Sequence, residues 1–314
     1  MKNTILAVSG ALALLSGVAN AAIITTWDYN NQAGFTNDVT PGSVNKTGFQ
    51  AQDVLDQDTY KKLSWGDSID NLPVSSLVVD SPKSGSLTTV ALEDTLQDSD
   101  FVEGTHMTHN NYRIGGPSSN YLQSATLLDG LRLTATGWDA GTAFPSLPGN
   151  SIQIGLGFDF IETPNRPDSG ICVDGNVAGT DFDNVDPNEG AGCDDYFILQ
   201  PNPDLVFTID PLKEIVEFKI VVDLLNYGFP PALAASLDLN TVYEVTTRLT
   251  GLTIVDDFCG NQATPCVGFA TKELEENTLL AEFAVQAVPE PASIAIFGLG
   301  LFGLSIVARK KRQA

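Results

Sequence analysis

The chain predicts an all-β protein, an antiparallel β-sandwich for which a jelly-roll-like topology is one solution. Three observations carry this. Short runs of Val, Ile, Leu and Phe recur along the whole body, turn-forming Gly, Pro, Asn and Asp separate them, and Ser151 to Glu162 alternates with period two. There Ile152, Ile154, Leu156, Phe158 and Phe160 fall on one face, with Gln153, Gly155, Gly157 and Asp159 on the other. Successive side chains of a strand point to opposite faces, so this pattern marks a half-buried strand.

Taken in order, the first strand spans Ile23 to Tyr29, where Thr and Ile favour extended backbone. Asn30 to Thr47 is polar and carries the Pro41-Gly42 turn signal, so it reads as a loop. Ala51 to Lys62 has a weak helical pattern. Strands follow at Leu63 to Gly66, Val74 to Asp80 and Leu87 to Leu92, broken by Asn71-Leu72-Pro73 and by Ser81 to Gly85. Asp94 to Asn111 holds acids and both histidines. Tyr121 to Leu128 and Leu131 to Thr136 flank Asp129-Gly130, a dipeptide preferred in two-residue type I′ turns, which predicts a hairpin. Thr163-Pro164-Asn165 ends the alternating strand, and 165–194 reads as a long acidic loop. Further strands are expected at Tyr196 to Leu199, Leu205 to Ile209, Ile215 to Leu225, Tyr243 to Val255 and Leu279 to Val288. Pro230-Pro231 and Ala232 to Leu239 read as a loop or one helical turn.

With 39 Asp and Glu against 16 Lys and Arg, the formal net charge is −23. Such a surface repels nucleic acid, and it repels anionic polysaccharide unless divalent cations bridge the two. No nucleic-acid partner is expected. The cysteines are Cys172, Cys193, Cys259 and Cys266. An even number suggests two disulfides in any chain that reaches an oxidising compartment. The economical pairing is Cys172–Cys193 with Cys259–Cys266, although three pairings are open. A bridge closing a loop of roughly twenty residues contributes about 3 kcal/mol on the chain-entropy estimate. Zinc finds little support, since no C-x-x-C occurs and both histidines lie far upstream.

Both ends of the chain read as export signals. Lys2, the apolar run Ile5 to Val18 and Ala19-Asn20-Ala21 make a secretory signal peptide over 1–21. At the other end Val288-Pro289-Glu290-Pro291 leads into the uncharged Ala292 to Ala308, and Arg309-Lys310-Lys311-Arg312 follows. A helix of that uncharged stretch reaches roughly 25 Å at about 1.5 Å per residue, near the lower limit for crossing a bilayer. Cations just beyond it favour the cytoplasmic side, which leaves the body outside. Together these residues resemble the PEP-CTERM sorting signal of Gram-negative bacteria. The resemblance implies recognition by an exosortase, a membrane-embedded cysteine transpeptidase that cuts near the tripeptide. It also implies transient membrane anchorage and delivery of the body to the envelope, outer surface or exterior. The expected division is a signal peptide at 1–21, an exported β domain at 22–287 and the sorting signal at 288–314.

Thr108-His109-Asn110-Asn111, followed by Ile114, has companions along the chain: Trp65-Gly66 upstream, then Phe160 to Asn165, Cys172, Cys193 and Phe197. In that order they are similar to the THxN group of PEP-CTERM proteins, over residues 63–200. This similarity implies lineage and location, not an activity.

The candidates for chemistry are few. His106 and His109 share a face on a helix and take opposite faces on a strand. A metal there needs further ligands, with Glu103 and Asp100 nearest in sequence. The alternative is that His109, Asn110 and Asn111 bond backbone groups and fix a loop. Gly66-Asp67-Ser68 resembles the nucleophile block of GDS-type esterases, but no histidine follows residue 109, so a plain turn is expected. Gly298 to Gly303 satisfies G-x-G-x-x-G inside the expected membrane span, without a βαβ unit, which excludes dinucleotide binding. Asp181, Asp183, Asp186 and Glu189 offer hard oxygen ligands of the kind Ca²⁺ takes, off the EF-hand spacing; a solvated acidic loop is the alternative. The expectation is therefore an exported surface or matrix protein with a structural or interaction role linked to exopolysaccharide or biofilm. No catalysis is expected, and no cofactor besides calcium is in view. A calcium-dependent carbohydrate-binding module is the second reading.

Overall fold

Period-two burial resolves the chain into strands. A computed structural model describes residues 23–69, 71–91, 94–139, 146–163, 193–202, 205–210, 212–222, 241–255 and 266–289. In chain order the strands are β1 (Ile24–Phe35), β2 (Asn45–Gln50), β3 (Thr59–Trp65), β4 (Asp67–Ser68), β5 (Ser75–Asp80) and β6 (Lys83–Thr88). Then come β7 (Val102–Asn110), β8 (Ile114–Gly115), β9 (Ser124–Trp138), β10 (Leu147–Ile161), β11 (Asp195–Leu199) and β12 (Thr208–Asp210). The last are β13 (Ile215–Val222), β14 (Thr241–Thr250), β15 (Thr253–Ile254), β16 (Val267–Thr271) and β17 (Glu276–Pro289). Among the described residues, helix is limited to single 3-10 turns at Asp98–Asp100 and Ser118–Asn120, and no helix is long and apolar enough to cross a membrane. The expected signal peptide at 1–21 and the expected span from Ala292 to Ala308 lie outside the described residues.

The named ladders are antiparallel and form a 15-stranded sheet in the order β12-β13-β14-β17-β7-β5-β3-β1-β9-β10-β11-β16-β15, with β2 against β3 and β6 against β1. β4 and β8 make a small ladder of their own. The sheet curves back on itself. Ile152 and Ile154 of β10 line one cavity with Ile220 of β13 and Val245 of β14, although these strands lie far apart in the sheet order. The enclosed core holds Phe35, Leu63, Met107, Phe158, Phe197 and Phe218. A second cluster puts Trp27 edge-on to Tyr243, with ring centroids 5.2 Å apart.

Several expectations are corrected. Asp129-Gly130 is no turn: β9 runs straight through it, with Gly130 paired to Gln32 of β1 and to Gln153 of β10. Glycine is needed there because a Cβ would lie 2.6 Å from Leu55 Cδ2, and Asp129 finds a buried partner in Asn31. The expected loop from Asn30 begins inside β1, where Asn31 and Gln32 are buried but partnered: Asn31 Nδ2 donates to Asp129 Oδ1, and Gln32 Oε1 accepts from Val54 N. The weak helix at Ala51 to Lys62 is a bent segment leading into β3. β2, β7 and β16 have no counterpart among the strands expected from the sequence, nor do the two-residue β4 and β8. In β13 Val216, Phe218 and Val222 are buried and Lys219 is exposed.

Replacing Gly130 by Ala should crowd Leu55 at a fully paired strand centre. Overpacking of this kind costs about 1–3 kcal/mol. For a chain of this size the melting temperature should fall by roughly 2–10 °C in a thermal denaturation scan; an unchanged value would contradict the packing described for β9.

Candidate functional site

β7 is the strand from which a buried polar site is built. Its odd-numbered residues Thr105, Met107 and His109 face inward, and Asn111 just beyond its end is fully buried. His106 takes the other face, with Nε2 3.4 Å from Asp80 Oδ2 and Nδ1 3.9 Å from Glu103 Oε1. The two histidines therefore point apart, as strand geometry requires, and share no site. Asp100 is taken up locally, its Oδ2 accepting from Gln97 N. Of the remaining motif residues, Thr108 meets Thr278 hydroxyl to hydroxyl at 3.0 Å on the outward face, and Asn110 is half-buried there.

His109 lies in an aromatic box. Trp65 stacks on it at 6.0 Å and 13°, Phe160 meets it edge-on at 4.9 Å, and Phe269 is tilted at 6.4 Å. Burial pushes its pKa down to about 3. The ring is consequently neutral under ordinary conditions, and its Nε2, 3.9 Å from Asp195 Oδ2, makes a polar contact and not an ion pair. Neither ring nitrogen has a hydrogen-bond partner.

The carboxyl side comes from the ends of β10 and β11. Trp65 Nε1 donates to Glu162 Oε2 at 2.6 Å, Thr163 N donates to Asp195 Oδ1 at 2.8 Å, and Thr163 Oγ1 donates to the Cys193 carbonyl at 2.8 Å. Glu162 and Asp195 are buried neighbours, each acting on the other's ionisation. Burial, and then the Glu162 charge, hold Asp195 well above the usual carboxylate range; burial raises Glu162 to about 7. Glu273 is also raised to about 7 by burial, against the lowering influence of Arg113. Asn111 closes the site: its N donates to the Glu275 carbonyl at 3.0 Å and its Nδ2 to the Thr271 carbonyl at 2.9 Å. Gly66, at φ +79°, lets β3 turn away beneath Ile114, whose Cβ would lie 2.6 Å from any Cβ placed there.

The scattered sequence fragments thus converge. Trp65, His109, Asn111, Phe160, Glu162, Thr163 and Cys193 meet in one place, with Phe197 stacked on Phe269 at 4.8 Å beside them. Asp195 stands just beyond the expected acidic loop 165–194, and the sequence reading has no place for Thr271 or Glu273; the Val-Gly-Phe-Ala-Thr run of β16 was the available signal. Ser68, of the esterase-like block, lies on exposed β4 and donates to the Leu72 carbonyl at 2.6 Å. Cys193 and Cys266 each take part in a disulfide. Cys172 and Cys259 lie outside the described residues, as do Asp181, Asp183, Asp186 and Glu189. Among the described residues no group of three or more His, Cys, Asp or Glu is placed to hold a metal ion.

Val288 and Pro289 form the last residues of β17, paired with Val242 and Thr241. Glu290, Pro291 and Arg309 to Arg312 lie outside the described residues. Comparison with family models matches residues 287–312 to the PEP-CTERM protein-sorting motif. No curated protein matches the chain.

The carboxyl cluster sets a pH dependence in chelator. Glu162 and Glu273, with ordinary values of 4.5 and folded values of about 7, stabilise the fold when protonated; that contribution is complete at low pH and lost as pH rises through about 7. His109 acts in the opposite sense, its contribution being lost as pH falls from 6.5 towards 3. The carboxyls outnumber the histidine, so the protein should melt higher near pH 5 than near pH 7.5, and Glu162→Gln should flatten the difference. Stability that climbs across that interval would contradict the geometry.

Proposed function

We propose that this chain is an exported, exosortase-processed protein of the cell surface or extracellular matrix, with a structural or interaction role and without catalysis. The observation that carries the reading is the sorting motif at 287–312, which starts inside the last paired strand of an all-β body. The motif marks an exosortase-targeted exported protein. Its physical consequence is a body folded outside the cytoplasm. The disulfide-bonded Cys193 and Cys266 suit an oxidising compartment, and the acidic surface suits solubility there.

In this reading residues 1–21 are removed on export, and residues 292–308 hold the chain in the inner membrane of a Gram-negative cell until cleavage near Pro289-Glu290-Pro291. The body is a two-layered, jelly-roll-like sandwich stapled by Cys172–Cys193 and Cys259–Cys266. Its partner outside is exopolysaccharide, reached through divalent cations because both surfaces are anionic.

Replacing Pro289, Glu290 and Pro291 together by alanine should leave the chain at full mass in the membrane fraction of a host that contains an exosortase. Fractionation and immunoblotting read the outcome. Unaltered size and unaltered release from the membrane would refute processing at this position.

A further inference from the structure

We infer that the buried oxygens of Asp195, Glu162, Asn111 and Thr271 form a site for one hard divalent cation of the calcium type, separate from the acidic segment 165–192. The inference does not depend on how the chain is sorted.

Two neighbouring carboxyls buried in a protein do not both carry charge unless a cation lies between them. A shared proton would satisfy Asp195 and Glu162, yet it does nothing for their neighbours. Asp195 Oδ2, Asn111 Oδ1 and Thr271 Oγ1 are buried and receive or make no hydrogen bond with the protein, and their residues are 1%, 0% and 2% exposed. Leaving the amide and hydroxyl oxygens unpartnered in the interior is costly even when the two carboxyls share a proton. One cation would satisfy all of them while allowing both carboxylates to ionise.

The framework places these atoms together. Asp195 and Thr271 are direct cross-strand partners in the β11–β16 ladder, so their side chains share a face with Cβ atoms about 4.5–5.5 Å apart. The bond from Asn111 Nδ2 to the Thr271 carbonyl fixes the amide beside them. Trp65 holds Glu162 from the other side. Two acids with an amide and a hydroxyl make a set of oxygens only, which suits Ca²⁺ and not the softer metals. Counting acids, histidines and cysteines alone misses such a set. His109 stays in its aromatic box as a wall of the site. A cation here would tie the end of β7 to β10, β11 and β16, which are distant in sheet order.

The test uses the exported protein stripped with chelator and then titrated with CaCl₂ alone. Calorimetry should find one calcium per chain that survives Asp181→Asn with Asp183→Asn and is lost in Asp195→Asn. Calcium at a hundredfold excess over its Kd should raise the melting temperature by roughly 5–10 °C. Thr271→Val removes a hydroxyl that makes no hydrogen bond, so this variant should keep its melting temperature in chelator and bind calcium at least tenfold more weakly. That variant decides the matter if Asp195→Asn fails to fold. No calcium response in the unaltered protein would overturn the inference, as would a response that Thr271→Val leaves intact.

Discussion

β17 is held on both edges, and this double pairing joins the two halves of the molecule that matter for function. One edge pairs with β14 from Thr250↔Leu280 to Thr241↔Pro289, the other with β7 from Asn110↔Glu276 to Val102↔Phe283. The strand that lies against His109, through Asn277, is therefore also the strand that leads into the sorting motif. Pro289 lacks an N–H and stands at the end of the strand, where its missing donor interrupts no continuing ladder. The chain beyond it starts from a fixed point at one end of the sheet.

Buried polar groups specify how the strands of this sheet align. Asn31 Nδ2 donates to Asp129 Oδ1 and to the Gly130 carbonyl, and Asn31 Oδ1 accepts from Thr105 N. That network fixes β1, β9 and β7 against one another, because a slip of one residue would turn Asn31 and Asp129 to opposite faces. It is closed: its main donors and acceptors find one another. The cluster beneath Trp65 is open, with carboxyl, amide, hydroxyl and imidazole atoms left over. The contrast separates a polar network that only holds the fold from one with capacity to bind.

The fold class was legible because burial on one face writes period two into a strand, as Leu156, Phe158 and Phe160 do in β10. The His106/His109 division follows only once β7 is known to be a strand, since on a helix the two would share a face. What sequence hid was polar residues inside strands. Asn31 and Asp129-Gly130 carry turn chemistry and Gln32 is polar, and only partners from elsewhere in the fold make them tolerable in a sheet. The site was half legible. Its residues stood in the right order, but Asp195 and Thr271 meet across a ladder that joins segments some seventy residues apart, and local pattern cannot report such a pairing.

The molecule that results is an acidic, curved antiparallel sheet whose final strand passes directly into an export and processing signal. Its fate turns on that junction. Intact-mass measurement of the protein recovered from outside the cells tests the junction most directly. The account predicts a species that lacks residues 1–21 and everything from about Ala292 onward. A species that still carries Arg309 to Arg312, or a chain found only in the cytosol, would contradict it.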